Sequence, residues 1–91
     1  MVGFDWDDEK ARENLRRHGV SFPDSTQAFE DELGAYGQDP EHGRIDERWR
    51  RIGHLRDGRL VVVRYTYRGR TIRIISARRA TKRERHDYEN G

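Results

Sequence analysis

The chain has no cysteine, one methionine and two prolines, and only 32% of its 91 residues are hydrophobic. Without cysteine there is no disulfide, no thiolate metal ligand and no thiol nucleophile. No apolar run approaches a membrane span or the core of a signal peptide, so a cytoplasmic protein is expected. Histidine is sparse as well. His18, His42, His54 and His86 have no spacing of the H-x-x-x-H kind, so neither a metal site nor a cofactor is expected. A P-loop, a G-x-G-x-x-G turn, a serine triad, a helix-turn-helix and a ribbon-helix-helix pattern are also missing.

What the chain has in abundance is charge. Charged residues make up 40% of it, a composition shared with disordered chains. Against disorder, the apolar residues are concentrated in patterned segments. Phe4, Trp6, Phe22, Phe29 and Trp49 supply large core pieces. One small folded domain over residues 1–91 is expected. The net charge of +2 conceals an asymmetry. Residues 1–41 hold four Lys/Arg and eleven Asp/Glu, a net of −7, whereas residues 42–91 hold fifteen Lys/Arg and six Asp/Glu, a net of +9. The basic half is nearly all arginine, the side chain suited to bidentate phosphate contacts. It reads either as an electrostatic footprint for nucleic acid or as an ordinary solvated face.

Phe4 and Trp6 alternate with Asp5, which suits a short first strand. Asp7 or Asp8 caps a helix to about His18 with a thin stripe of Ala11 and Leu15, flanked by Asn14 and His18. Gly19 follows as a left-handed cap. Ser21 and Asp24 resemble a capping box with Pro23 in the first turn, starting a second short helix that buries Phe22, Ala28 and Phe29. Residues 34–43 are turn-rich around Pro40 and are the internal stretch expected to be most mobile, with a possible strand over 33–36. Asp57-Gly58 and Arg68-Gly69 are hairpin signals that divide the rest into strands at about 47–56, 59–67 and 70–77. Thr81 and Glu84 form a capping box for a helix to about Glu89. The expected class is α+β: an antiparallel sheet of three to four strands, two N-terminal helices and a C-terminal helix.

Strand alternation sorts the arginines. With Arg68-Gly69 as a two-residue loop, Arg64 opposes Arg73. One face then carries Val61, Val63, Tyr65, Ile72 and Ile74, and is the expected core. The other carries Leu60, Val62, Arg64, Thr66, Thr71, Arg73, Ile75 and Ala77. If Asp57-Gly58 is also a two-residue loop, Arg51 joins this second face opposite Arg64; a three-residue loop with a bulge shifts it by one. Like charges directly opposed on a sheet are unfavourable by roughly 0.2–1 kcal/mol per pair. Such a row is explained by an anion lying across it, or by carboxylates from the acidic half that neutralise it.

The segments FDWDDEKARENLRRHGVSF and DERWRRIGHLRDGRLVVVRYTYRGRTIRIISARRATKRERHDYE together resemble the BrnT-type toxins over nearly the whole chain. The most specific pieces are F-x-W-D-x-x-K-x-x-x-N with H-G-V-S-F, E-R-x-x-x-I-G, and R-I-I-S-A-R followed by T-K-x-E-R-x-x-Y. Members commonly carry lysine after I-S-A-R, where this chain has Arg79. The resemblance implies a RelE-like ribonuclease fold and metal-independent RNA cleavage that inhibits growth. It also implies neutralisation by a BrnA-type ribbon-helix-helix antitoxin, as a 2:2 heterotetramer that reaches operator DNA through the antitoxin. Its pattern falls on Arg48, Arg64, Arg73, Arg78, Glu84, Tyr88 and, more weakly, His18, without dividing them by role; the catalytic candidates taken from it are Arg64, Arg73, Arg78, Glu84, Tyr88 and His18. Arg48, Arg51, Arg79 and Lys82 are the candidate nucleic-acid contacts. The rival expectation is a module that binds nucleic acid or an acidic partner through the same face without chemistry.

Overall fold

A computed structural model describes residues 3–38 and 48–91. The order is β1 (Gly3–Asp5), α1 (Asp8–His18), α2 (Phe22–Ser25) running into a 3₁₀ segment (Thr26–Glu30), β2 (Ala35–Gln38), β3 (Trp49–His54), β4 (Leu60–Arg68), β5 (Thr71–Arg79) and α3 (Lys82–Asn90). Most of the turn-rich stretch, from residue 39, and the expected start of a strand at residue 47 lie outside the described residues. No helix among the described residues is long and apolar enough to cross a membrane.

The local signals act where they stand. Asp7 accepts from the Lys10 N–H at 3.0 Å, and Gly19 closes α1 at φ 69° with its N–H on Leu15 O. Ser21 accepts from the Asp24 N–H at 3.1 Å. Thr81 and Glu84 make both arms of a capping box, at 3.1 and 2.8 Å.

The sheet corrects the expectation of three or four antiparallel strands. Among the described residues it has five, in the order β1-β5-β4-β3-β2, and β1 runs parallel to β5, pairing Phe4 with Ile72 and Asp5 with Arg73. Parallel partners are joined by long crossovers rather than by a turn, so no turn signal in the sequence marks them.

Register differs at both hairpins, for backbone reasons. Gly69 has φ 60° and is the first loop residue, with Arg68 paired to Thr71. A tight hairpin with positive φ at its first position alone needs glycine there, so Gly69-Arg70 is the loop rather than Arg68-Gly69. A bulge at Ile75 then shifts the pairing once more. Arg73 therefore opposes Thr66, and Arg64 opposes Ser76; the expected Arg64–Arg73 pair does not form. The same bulge turns Ala77 into the core, fully buried, and sends Arg78 to the arginine face opposite Val62. At the other hairpin Leu55 N–H donates to Arg59 O at 2.8 Å around Arg56-Asp57-Gly58, with Gly58 at φ 94°. This is the three-residue loop, and it places Arg51 opposite Val63 and Arg50 opposite Arg64.

The main core lies between one sheet face and the N-terminal helices: Val20, Phe22, Ala28, Leu55, Val61, Val63, Ile74 and Ala77. Gly53 lets β3 meet the 3₁₀ segment, because a Cβ there would lie 2.4 Å from Ala28 O. A smaller cluster of Ile52, Leu60 and Val62 on the opposite face packs against Ala80 and Tyr88 of the α3 region. The C-terminal helix thus covers one end of the arginine face.

α1 is held by a long-range contact. β1 ends at Asp5, so β5 loses its outer neighbour beyond Arg73. Asn14, 7% exposed, takes up that edge with its side-chain amide: Nδ2 donates to Ala77 O at 2.8 Å and Oδ1 accepts from Ala77 N–H at 3.1 Å. Nδ2 also reaches Val20 O at 2.9 Å. A primary amide offers the donor and acceptor pair that a neighbouring peptide unit would offer.

Candidate nucleic-acid interface

Side-chain alternation on β3, β4 and β5 brings Arg50, Arg64, Arg73 and Arg78 to one face of the sheet. Arg48, just before β3, joins Thr66 and Arg73 in lining a groove on the same side. Arg50 and Arg64 stand directly opposite one another, the like-charge placement anticipated for Arg64 and Arg73.

Among the described residues, two carboxylates serve this face, one from each half of the chain. Asp5 of β1 meets Arg73 Nη1 at 3.2 Å. Glu84 of α3 takes Arg78 in a two-pronged fork, Nη1 to Oε1 at 2.7 Å and Nη2 to Oε2 at 2.9 Å, with Arg50 Nη1 at 3.8 Å from Oε2. The Arg78 hydrogen bonds, reinforced by the Thr81 N–H, outweigh burial and hold the Glu84 carboxyl at about 2. Glu84 is therefore an anion that orients Arg78. Three further carboxylates tie up Arg56 and Arg59 away from the row: Glu30 pairs with Arg56 at 2.7 Å, and Asp57 and Asp24 pair with Arg59 at 2.9 and 3.7 Å. Neutralisation by carboxylates thus accounts for those two arginines and for part of the row.

Tyr88, one turn after Glu84, donates its hydroxyl to Asp31 Oδ2 at 2.6 Å. The same oxygen accepts the His54 N–H at 2.8 Å, and His54 Nδ1 lies 3.2 Å from it and 3.1 Å from the Tyr88 hydroxyl. Burial pushes the Asp31 carboxyl up, but these bonds and the Leu33 N–H hold it down at about 2. Burial and the Asp31 carboxylate push the Tyr88 hydroxyl up to about 12. The cluster pins α3 to the end of the 3₁₀ segment and to β3.

The other sequence candidates are dispersed. His18 is exposed at the end of α1, not buried on its inner stripe; Asn14 holds that place and Leu15 is 51% exposed. His18 lines a groove of about 220 Å³ with Lys10, Asn14 and Ser76, and Ser76 is the strand partner of Arg64. Arg51 lies on the helix-facing side, contrary to the two-residue-loop expectation. Its guanidinium donates to Ala28 O at 3.2 Å and Asp31 O at 2.8 Å and lies 5.7 Å from the Phe29 ring centre. Arg79 is exposed opposite Val61, on the face turned away from the row, and Lys82 is exposed at the start of α3. Arg50 and Asp31 were missed. The loop length after His54 carries the signal for Arg50; Asp31 has no local one.

No curated protein matches the chain. A family model described as the ribonuclease toxin BrnT of type II toxin–antitoxin systems matches residues 6–84. Among solved structures, the 1.1 Å crystal structure of the Brucella abortus ribonuclease toxin BrnT superposes with a TM-score of 0.68 at 26% identity, covering 90% of this chain and 100% of that one. The match spans α1, the arginine face and the capping box that ends in Glu84, so the chain belongs to the BrnT family of ribonuclease toxins of type II toxin–antitoxin systems.

Proposed function

We propose that the chain is a metal-independent endoribonuclease on a RelE-like scaffold, that it cleaves RNA across the arginine face, and that a BrnA-type antitoxin inhibits it by covering that face. The observation that carries this reading is the gathering of Arg50, Arg64, Arg73 and Arg78 on one side of the sheet. Cleavage without a metal proceeds by attack of the 2′-hydroxyl on the adjacent phosphate. The 2′ proton is removed, the 5′-oxygen leaves with a proton, and a cyclic phosphate remains. Fixed guanidinium groups stabilise the charge that builds on the phosphorane. Arg64 and Arg73 flank the phosphate, and Arg78, oriented by Glu84, closes one side.

Of the side chains that could carry a proton besides arginine, Glu84 is committed to Arg78 and Tyr88 to Asp31. His18 has no such commitment among the described residues: its imidazole is exposed in a groove beside Ser76. In this reading His18 carries protons, Glu84 positions Arg78 and Tyr88 anchors α3. The toxin acts in the cytoplasm as one half of a 2:2 complex, because a ribbon-helix-helix dimer offers two equivalent arms; operator DNA is contacted through the antitoxin.

The test is cleavage of labelled RNA by purified protein in excess EDTA, with the products analysed for a 2′,3′-cyclic phosphate end. Cleavage is expected to continue. Loss of activity that one divalent ion restores would overturn the metal-free mechanism, and binding without cleavage would favour a module without chemistry.

A further inference from the structure

Beside the arginine row lies a groove of about 370 Å³ lined by Lys10, Arg48, Thr66, Arg68, Arg73 and Ile75, among others. Among the described residues that line it, four are cationic and none is a carboxylate. Lys10 and Arg68 form no ion pair among the described residues. Lys10 comes from the acidic half of the chain, and the fold explains how it reaches the basic face. The amide of Asn14 fixes α1 along the edge of β5 at Ala77. Lys10 lies four residues earlier and therefore on the same helix face, one turn nearer β1. Lys10 and Ile75 line both this groove and the smaller one that holds His18 and Ser76, so the two are neighbours along β5. The bulge at Ile75 sits at that boundary.

Lys10 and Arg68, without an ion pair among the described residues and continuous with a row of further arginines, suit a polyanion that extends past a single phosphate. We propose that this groove is a second phosphate subsite, in which Lys10 and Arg68 hold the backbone of single-stranded RNA at a nucleotide away from the cleaved bond. The proposal rests on the ribonuclease reading for its ligand. Lys10 is a binding residue here, and the loss on removing it grows with the length of the RNA.

The experiment compares wild type with Lys10→Gln, Arg68→Gln and Lys10→Arg, using fluorescence anisotropy on a ten-nucleotide RNA over a salt series. It adds cleavage of that RNA and of a dinucleotide whose one phosphate is the scissile one. Losing one phosphate contact removes about 0.7 from the slope of log Kd against log salt, which is about fivefold in Kd at 0.1 M salt relative to 1 M. Each glutamine variant is expected to show that change, with the loss in KM for the long RNA rather than in kcat. Lys10→Arg is expected to restore it. An unchanged slope in both glutamine variants overturns the subsite. So does an equal loss of activity on the dinucleotide, which would place Lys10 at the scissile phosphate. Binding with the expected slopes but no cleavage of either RNA would keep the subsite and remove the ribonuclease reading. Cleavage with unaltered slopes would do the reverse.

Discussion

Asp31→Asn is expected to destabilise the protein near neutral pH and to have progressively less effect as the solution becomes acid. Asp31 Oδ2 accepts from the Tyr88 hydroxyl and from the His54 N–H, and Oδ1 accepts from the Leu33 N–H at 3.0 Å. Asparagine has one acceptor oxygen, so in either amide orientation at least one of these donors faces an NH₂ group. The folded carboxyl is held at about 2 against an ordinary 3.8, and the side chain is only 13% exposed. At about 1.36 kcal/mol per pKa unit this is roughly 2 kcal/mol of stability. The sign follows from the depressed folded value. The contribution is fully present above the unfolded value of 3.8 and is lost as pH falls from there through about 2. For a domain of this size each kcal/mol moves Tm by about 4–8 °C, so the variant should melt about 8–16 °C lower near pH 7. Circular dichroism melts of both proteins between pH 2 and pH 7 provide the assay. Glu84 is also depressed, but it is common to both proteins and cancels in the difference. Equal melting temperatures at pH 7, or a gap that stays constant down to pH 2, would refute the reasoning.

Arg64→Ala and Arg73→Ala should each slow RNA cleavage about a hundredfold or more, since one donor to the transition state is typically worth about 2.7–4 kcal/mol; initial rates on labelled RNA check this. Their lysine variants keep the charge but lose the fork, so they should bind RNA and cleave it poorly, measured by anisotropy alongside the rates. Asn14→Asp replaces a buried donor with a second acceptor facing Ala77 O and Val20 O; chemical denaturation should show a loss of about 1–3 kcal/mol or more near pH 7. Light scattering on toxin co-expressed with its antitoxin should give the mass of a 2:2 assembly, and a strictly 1:1 species would count against it.

Helix ends and turns were legible in the sequence because their chemistry is local. Asp7 with Lys10, Ser21 with Asp24 and Thr81 with Glu84 are each three residues apart, and Gly19, Gly58 and Gly69 hold the positive φ angles that their turns demand. Alternation likewise sorted Val61, Val63, Tyr65 and Ile74 from Arg64 and Arg73, because the period of two survives a loop placed one residue off on each side. The arginine face was therefore visible in outline. Its details depended on small choices of backbone: the loop around Gly58 exchanged Arg51 for Arg50, the Gly69-Arg70 loop moved Arg73 opposite Thr66, and the bulge at Ile75 set Arg64 opposite Ser76. A shift of one residue in one strand changes every side chain beyond it, and no short pattern announces it. The remaining features join positions far apart in the chain: β1 beside β5, Asn14 with Ala77 across 63 residues, and Asp31 with Tyr88 across 57. Asparagine and aspartate at those positions read as ordinary polar residues until packing removes water from around them. Only then do their hydrogen bonds determine where α1 and α3 sit, and with them which end of the arginine face α3 covers.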